Sequence, residues 1–136
     1  MKVVFDSNIL IAALLFPGGR ADAAVENILD GTDDLLISRP IIQEVLAVLA
    51  KKFSRDKEEL SRVSVVLGEM GTLVEPSRRL SVFGDEPDNR ILECAVEGMA
   101  EAIVTGDKAI LAAGEYEGVR IISLARYLDR RKGRAR

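Results

Sequence analysis

An α/β fold around a parallel sheet is what this sequence predicts, and three observations lead there. Short apolar runs alternate with longer segments of helical periodicity along the chain. The length of 136 residues and hydrophobic content of 48% suit one ordinary domain, able to bury roughly two-thirds of its unfolded surface. Acidic residues recur just past the apolar runs or early in the helices that follow, where the carboxyl ends of parallel strands open onto one shared crevice.

Taken in order, residues 3–5 form the first strand, and the polar Asp6-Ser7-Asn8 stretch begins a helix over 9–16. Phe16-Pro17-Gly18-Gly19 ends it in a turn; no Gly-Lys-Ser/Thr follows, so these glycines are not a phosphate loop. A helix over 21–29 leads to a second strand, 35–37, ending at Ser38, and Pro40 opens a helix to about 52. The polar stretch 51–56 bends the chain into a helical hairpin, whose second arm carries Leu60, Val63, Val66, Leu67 and Met70 at helical spacing. That hairpin should wall the crevice. A short third strand at 73–74 precedes a polar loop through Asp85-Glu86-Pro87-Asp88-Asn89, where a helix starts whose apolar face continues to Met99. The fourth strand covers 102–104, a short helix 108–113, the fifth strand 119–122 and a last helix about 124–128. Such alternation implies right-handed crossovers.

Composition removes whole classes of chemistry. With no histidine, Ser-His-Asp and Cys-His catalysis and imidazole metal ligands are excluded, so hydrolysis must lean on carboxylates. Carboxylate and water ligands suit Mg²⁺ or Mn²⁺, whereas structural zinc usually wants several Cys or His, and this chain has one Cys and no His. The single cysteine, Cys94, lies among Ile91, Leu92, Ala95, Val96 and Met99 and reads as a buried, inert thiol. Asp6 and Asn8 interrupt the first apolar stretch too early for a signal peptide, and no run approaches the ~20 apolar residues of a membrane span. The expectation is a cytoplasmic protein without membrane contact.

The net charge of −3 is uneven: residues 126–136 hold six basic side chains against Asp129 alone, a segment at +5 on a body at −8. A domain over 1–129 with a basic tail over 130–136 is therefore expected, the tail either attracting polyanions or an acidic partner or lying solvated. Trp is absent and Tyr and Phe are few, so there is no aromatic platform for bases, and bound nucleic acid would be held by phosphate and metal.

Four acids carry the candidate chemistry: Asp6, Glu44, Asp88 and Asp107. Three have a competing structural role, since Asp6 and Asp107 precede helices and Asp85 with Asp88 mimics a capping box. Glu44 is too far into its helix to cap, and its competing role is plain surface exposure. Asn8, Ser38, Asn89 and Thr105 sit where small polar groups could orient carboxylates, and Arg90 or Lys108 could touch phosphate. An aspartyl-phosphate phosphatase would want an Asp where Asn8 stands, and a receiver domain an Asp at the end of the third strand, where Glu75 follows Val74.

The run Val-Val-Phe-Asp-Ser-Asn-Ile-Leu-Ile-Ala-Ala-Leu-Leu-Phe-Pro-Gly-Gly resembles the opening of PIN-domain proteins, particularly VapC-like toxin components of toxin-antitoxin pairs. Ser38 through Glu44-Val45-Leu46 is similar to the family's second acidic motif, Asp85 through Ala95 to its third, and Val104-Thr105-Gly106-Asp107-Lys108 to its fourth. The resemblance implies a three-layer α/β/α sandwich on a five-stranded parallel sheet. It also implies a ribonuclease using one or two Mg²⁺ or Mn²⁺ ions held by Asp6, Glu44, Asp88 and Asp107, with RNA as substrate and a small antitoxin and a homodimer as partners. Many relatives carry a further acid where this chain has Ala109, which puts a strong second metal site in question and leaves Asp85 or the RNA phosphate to compensate. A degenerate PIN domain that binds RNA or protein without cutting is the alternative.

Overall fold

The computed structural model describes residues 1–134 and shows a six-stranded sheet between helices. The order along the chain is β1 (Lys2–Phe5), α1 (Ser7–Leu15), α2 (Arg20–Leu29), β2 (Asp34–Ile37), α3 (Arg39–Phe53), α4 (Lys57–Met70) and β3 (Thr72–Leu73). There follow α5 (Glu86–Glu97), β4 (Ala102–Thr105), α6 (Lys108–Leu111), β5 (Glu115–Tyr116), β6 (Val119–Ser123) and α7 (Leu124–Arg134). Across the sheet the strands lie β3-β2-β1-β4-β6-β5. The five expected strands are all parallel; the sixth, β5, is a two-residue edge strand antiparallel to β6. Sequence periodicity could not signal it, because two residues do not make a period.

The central strands are apolar almost without interruption, as sheets covered on both faces require: Val3, Val4, Phe5, Ala102, Ile103 and Val104 are all buried. Right-handed crossovers put the helices between β1 and β3 on one face and α5 and α6 on the other. The last helix returns to the first face, packing against α2 and setting Tyr127 edge-on to Phe5 at 5.6 Å between ring centroids. Within the hairpin, α3 lines the crevice while α4 packs against β2 and β3 instead. The boundary expected at 129/130 falls inside α7. Residues 135 and 136, and the side chains from 131 onward, lie outside the described residues, and most of the expected basic tail lies there with them.

No single described helix is long and apolar enough to cross a membrane; α1 and α2 would pass only together, and they meet at 101°. Cys94 is buried, and desolvation pushes its thiol up to about 12 despite a hydrogen bond with Ser38, in keeping with an inert core sulfur.

Candidate active site

Strand order reverses at β1, from which the chain proceeds outward to β2 and β3 and later returns to lay β4 on β1's other side. A crevice forms at the carboxyl ends of strands beside such a reversal. Val3, Val4 and Phe5 stand in register with Ala102, Ile103 and Val104. The ladder runs one residue further, as the Asp6 N–H donates to the Val104 carbonyl at 3.0 Å. Asp6 and Thr105 therefore meet at the end of the two central strands.

The buried Thr105 hydroxyl donates to Asp6 Oδ2 at 2.6 Å, and its oxygen accepts from the Asp107 N–H at 3.0 Å. One hydroxyl thus ties two acids that are far apart in sequence. Asp6 Oδ1 accepts from the Asn8 N–H at 3.2 Å and caps α1. Asp107 Oδ1 accepts from Ala109 and Ile110 at 2.7 and 3.2 Å and caps α6. The capping role expected of these two is real, and it uses the same oxygen twice in Asp107. Asp85 differs: it occupies the N-cap of α5 without making a side-chain cap, so the expected capping box is not formed. Its exposed carboxylate is not committed to the helix.

Electrostatics identifies the neighbours. The Asp88 carboxyl, in the first turn of α5, is pushed up to about 6, chiefly by burial and then by the charges of Asp85, Asp107, Asp6 and Glu44. Asp6 is likewise raised, by burial first, with Asp107 and Asp85 adding and the hydrogen bonds from Thr105 and Asn8 opposing. Five acids from four regions of the chain thus share one field. Among the described residues no cation forms an ion pair with any of them. Nor does any group of three close to metal-ligand spacing among the described residues. Half-buried Glu44 lines a cleft of about 280 Å³ together with Ser7, Ile41, Arg79, Pro87 and Arg90.

The small polar residues act mostly on the backbone. Thr105 alone contacts an acid through its side chain; the Asn8 side chain is exposed, and only its N–H reaches Asp6. Ser38 caps α3, the helix that carries Glu44, by accepting from the Ile41 N–H at 3.5 Å. Asn89 is buried and staples the preceding loop: its Oδ1 accepts from Val82 and Phe83 at 3.0 and 2.8 Å, and its Nδ2 donates to the Phe83 carbonyl at 2.9 Å. Replacing Asn89 with Ala would leave those groups unpaired. The variant should lose about 2–3 kcal/mol in a denaturant titration, and an unchanged midpoint would show the loop to be self-supporting.

Of the two expected phosphate contacts, Lys108 is exposed beside Asp107. Arg90 is committed elsewhere, with ion pairs to Glu86 and Glu93 at 3.3 and 3.0 Å and a hydrogen bond to the Leu80 carbonyl at 3.2 Å. The cation that sequence reasoning missed is Arg79. It sits in the irregular stretch before α5, where periodicity carries no signal, and the adjacent pair Arg78-Arg79 in an acidic body was the only cue.

Comparison with known proteins agrees with this architecture. Residues 2–109 match the family model described as the PIN domain. A protein of Methanocaldococcus jannaschii, itself uncharacterized, is 26% identical over 116 residues, covering 82% of this chain and 74% of that one. The fold is similar to that of VapBC2 from Rickettsia felis, solved bound to a DNA fragment from their promoter, at a TM-score of 0.65 and 14% identity over 90% of this chain and 98% of that one. It is similar also to VapBC-1 from nontypeable Haemophilus influenzae, at 0.64 and 14% over 92% and 99%. At such identity the structural likeness speaks for the fold.

Proposed function

This chain belongs to the PIN-domain family, and from that premise we propose that it is a metal-dependent endoribonuclease, hydrolysing RNA phosphodiester bonds as the toxin of a toxin-antitoxin pair. The observation that carries this reading is the gathering of Asp6, Glu44, Asp85, Asp88 and Asp107 in one field, where burial first and then the four neighbouring charges raise the proton affinity of Asp88, and among the described residues no cation forms an ion pair with any of the five. A site of that kind is adapted to a cation. Its donor set is all oxygen, which fits Mg²⁺ or Mn²⁺ and does not fit structural zinc.

Asp6, Asp88 and Asp107 would hold the ion, with Glu44 either completing the ligand set or orienting the attacking water as a base. A divalent cation in such a site supplies neutralisation of the phosphodiester charge and a water of lowered pKa. The chain's own part is positioning. Thr105 fixes the Asp6 carboxylate and the Asp107 backbone together, and the caps of α1 and α6 restrict the remaining freedom of both acids. Half-buried Glu44 faces the cleft from α3, a place from which it can take a proton from water at the phosphate. Exposed Lys108 is free to approach a phosphate oxygen from the other side.

With Ala109 where many relatives place an acid, Asp85 is the residue able to supplement a second, weaker ion, because its carboxylate makes no cap. Asp85→Asn should leave the tighter Mn²⁺ transition in a calorimetric titration in place and weaken the second several-fold. Loss of the tighter one would give Asp85 a primary role. A small antitoxin is the proposed protein partner, supported by the fold shared with the VapBC assemblies; a homodimer is proposed from the family resemblance alone.

The deciding experiment is incubation of the protein with single-stranded RNA in Mg²⁺, Mn²⁺ or EDTA, alongside divalent-ion titration of the RNA-free protein. Cleavage in metal and none in EDTA is expected. Metal binding without cleavage of any RNA would favour a degenerate binding module, for which Ala109 is the supporting observation.

A further inference from the structure

We propose that Arg79 is a substrate-binding residue, holding an RNA phosphate beside the acid cluster; the inference rests on the ribonuclease reading and names how that site receives its substrate. A phosphodiester approaching five carboxylates on an acidic body is repelled until it finds local positive charge. Among the described residues, Arg79 and Arg90 are the two cations lining the cleft that also contains Glu44. Their situations are opposite.

Arg90 is structural. Only 11% of its side chain is exposed, and it is held by Glu86, Glu93 and the Leu80 carbonyl. The Arg79 side chain is 76% exposed, and its ion pair with Glu86 is a long one at 3.9 Å. An exposed pair of that length is worth little, so a phosphate can displace it at small cost. Glu86 would then keep Arg90 as its partner, and no buried charge would be stranded.

The backbone that carries Arg79 is nevertheless fixed. Leu80, the next residue, donates its N–H to Glu93 at 2.7 Å and accepts at its carbonyl from Arg90 at 3.2 Å, so both backbone polar groups of this residue are clamped by a buried ion pair on α5. On the other side Arg78 forms a bidentate pair with Glu117 at 2.8 and 2.9 Å, and the Ser77 N–H and hydroxyl both donate to Glu97. The stretch is therefore stapled before and after Arg79, while the guanidinium itself stays exposed, with only the long contact to Glu86 among the described residues. A rigid base under a long cationic side chain at the mouth of a cleft suits bidentate capture of phosphate.

The test uses fluorescence anisotropy of a labelled single-stranded RNA with the full chain carrying Asp6→Asn, so that cutting does not interfere, with and without Arg79→Gln. Adding Arg79→Gln should weaken RNA roughly tenfold and lower the slope of log affinity against log salt by about one. Arg79→Lys should restore the salt slope but only part of the affinity, since an ammonium keeps the charge and loses the bidentate contact, and melting curves should be unchanged in both. In the cleaving protein, Arg79→Gln should raise KM with little change in kcat, a split that a loop-packing role would not produce. Equal affinity and equal salt slope would overturn the proposal. If the unmodified chain cuts RNA and Arg79→Gln changes neither KM nor affinity, Arg79 falls and the ribonuclease reading stands. If the unmodified chain does not cut but Arg79→Gln still weakens RNA, hydrolysis falls and Arg79 stands as an RNA contact. No RNA binding by the Asp6→Asn protein and no cutting by the unmodified chain would overturn both.

Discussion

Asp6→Asn should reduce metal-dependent RNA cleavage by at least about a hundredfold, since on the proposed mechanism several kcal/mol of transition-state stabilisation would depend on the ion that Asp6 is proposed to hold. The same variant should lose most of its divalent-ion binding heat and yet melt, in EDTA, at or above the temperature of the unmodified protein. That combination follows from the local geometry. Asn keeps one oxygen, which still accepts the Asn8 N–H so that the cap of α1 survives, Asn being as good an N-cap as Asp, and its amide nitrogen takes the second position, where the Thr105 hydroxyl oxygen can accept instead of donating. What disappears is one buried negative charge among five, whose carboxyl already resists ionisation. Removing it relieves desolvation and repulsion in the metal-free protein. Asp88→Asn and Asp107→Asn should behave alike. A large loss of metal-free stability in all three would mean that these acids serve the fold as caps and network members, and would remove the basis for a metal site.

The strand ends and the acids behind them were legible because both depend on local chemistry. An apolar run such as Val3-Val4-Phe5 followed by Asp6 announces a buried strand and a helix cap at once, and the topology then brings the caps together. What escaped the sequence was set by contacts that have no local signature. The Thr105 hydroxyl bridges Asp6 and Asp107 only because β1 and β4 are adjacent and in register. Asn89 looked like an orienting group for the neighbouring acid, but its side chain found three backbone groups in the loop behind it. Arg90 and Arg79 look equivalent in sequence; burial against Glu93 makes one structural and leaves the other available. Asp33 gave no sign at all, being one of two adjacent acids at the start of β2 whose fates diverge: Asp34 is exposed and Asp33 is buried.

Asp33→Asn should lower the melting temperature by roughly 10 °C while leaving kcat for RNA cleavage nearly unchanged, the reverse of the outcome for Asp6. Asp33 lies at the amino end of β2, opposite the crevice, and is buried at 3% exposure. Its carboxylate accepts from the Met1 ammonium and from the Tyr127 hydroxyl, both at 2.7 Å, with the Arg130 guanidinium 4.0 Å away. It thereby ties the start of β1, the start of β2 and α7 to one another. Burial raises its pKa, but the hydrogen bonds from the ammonium and Tyr127, with the positive charges of Met1 and Arg130, more than offset this and hold it below 3.8. Losing one member of a buried, hydrogen-bonded ion pair typically costs about 3 kcal/mol, and a domain of this size converts that into a shift of roughly 10 °C. The pH dependence has a definite sign. Because the folded-state pKa is depressed, the stabilisation is fully present above the ordinary carboxylate pKa and is lost as pH falls through the lower folded value. The unmodified protein should therefore lose stability on acidification below about pH 4, where Asp33 begins to take up protons in the unfolded chain but not yet in the folded one. Asp33→Asn should flatten that acid limb. A variant that melts normally and keeps the full acid limb would show that α7 is held by Tyr127 packing on Phe5 alone, and that this buried polar cluster contributes nothing to the fold.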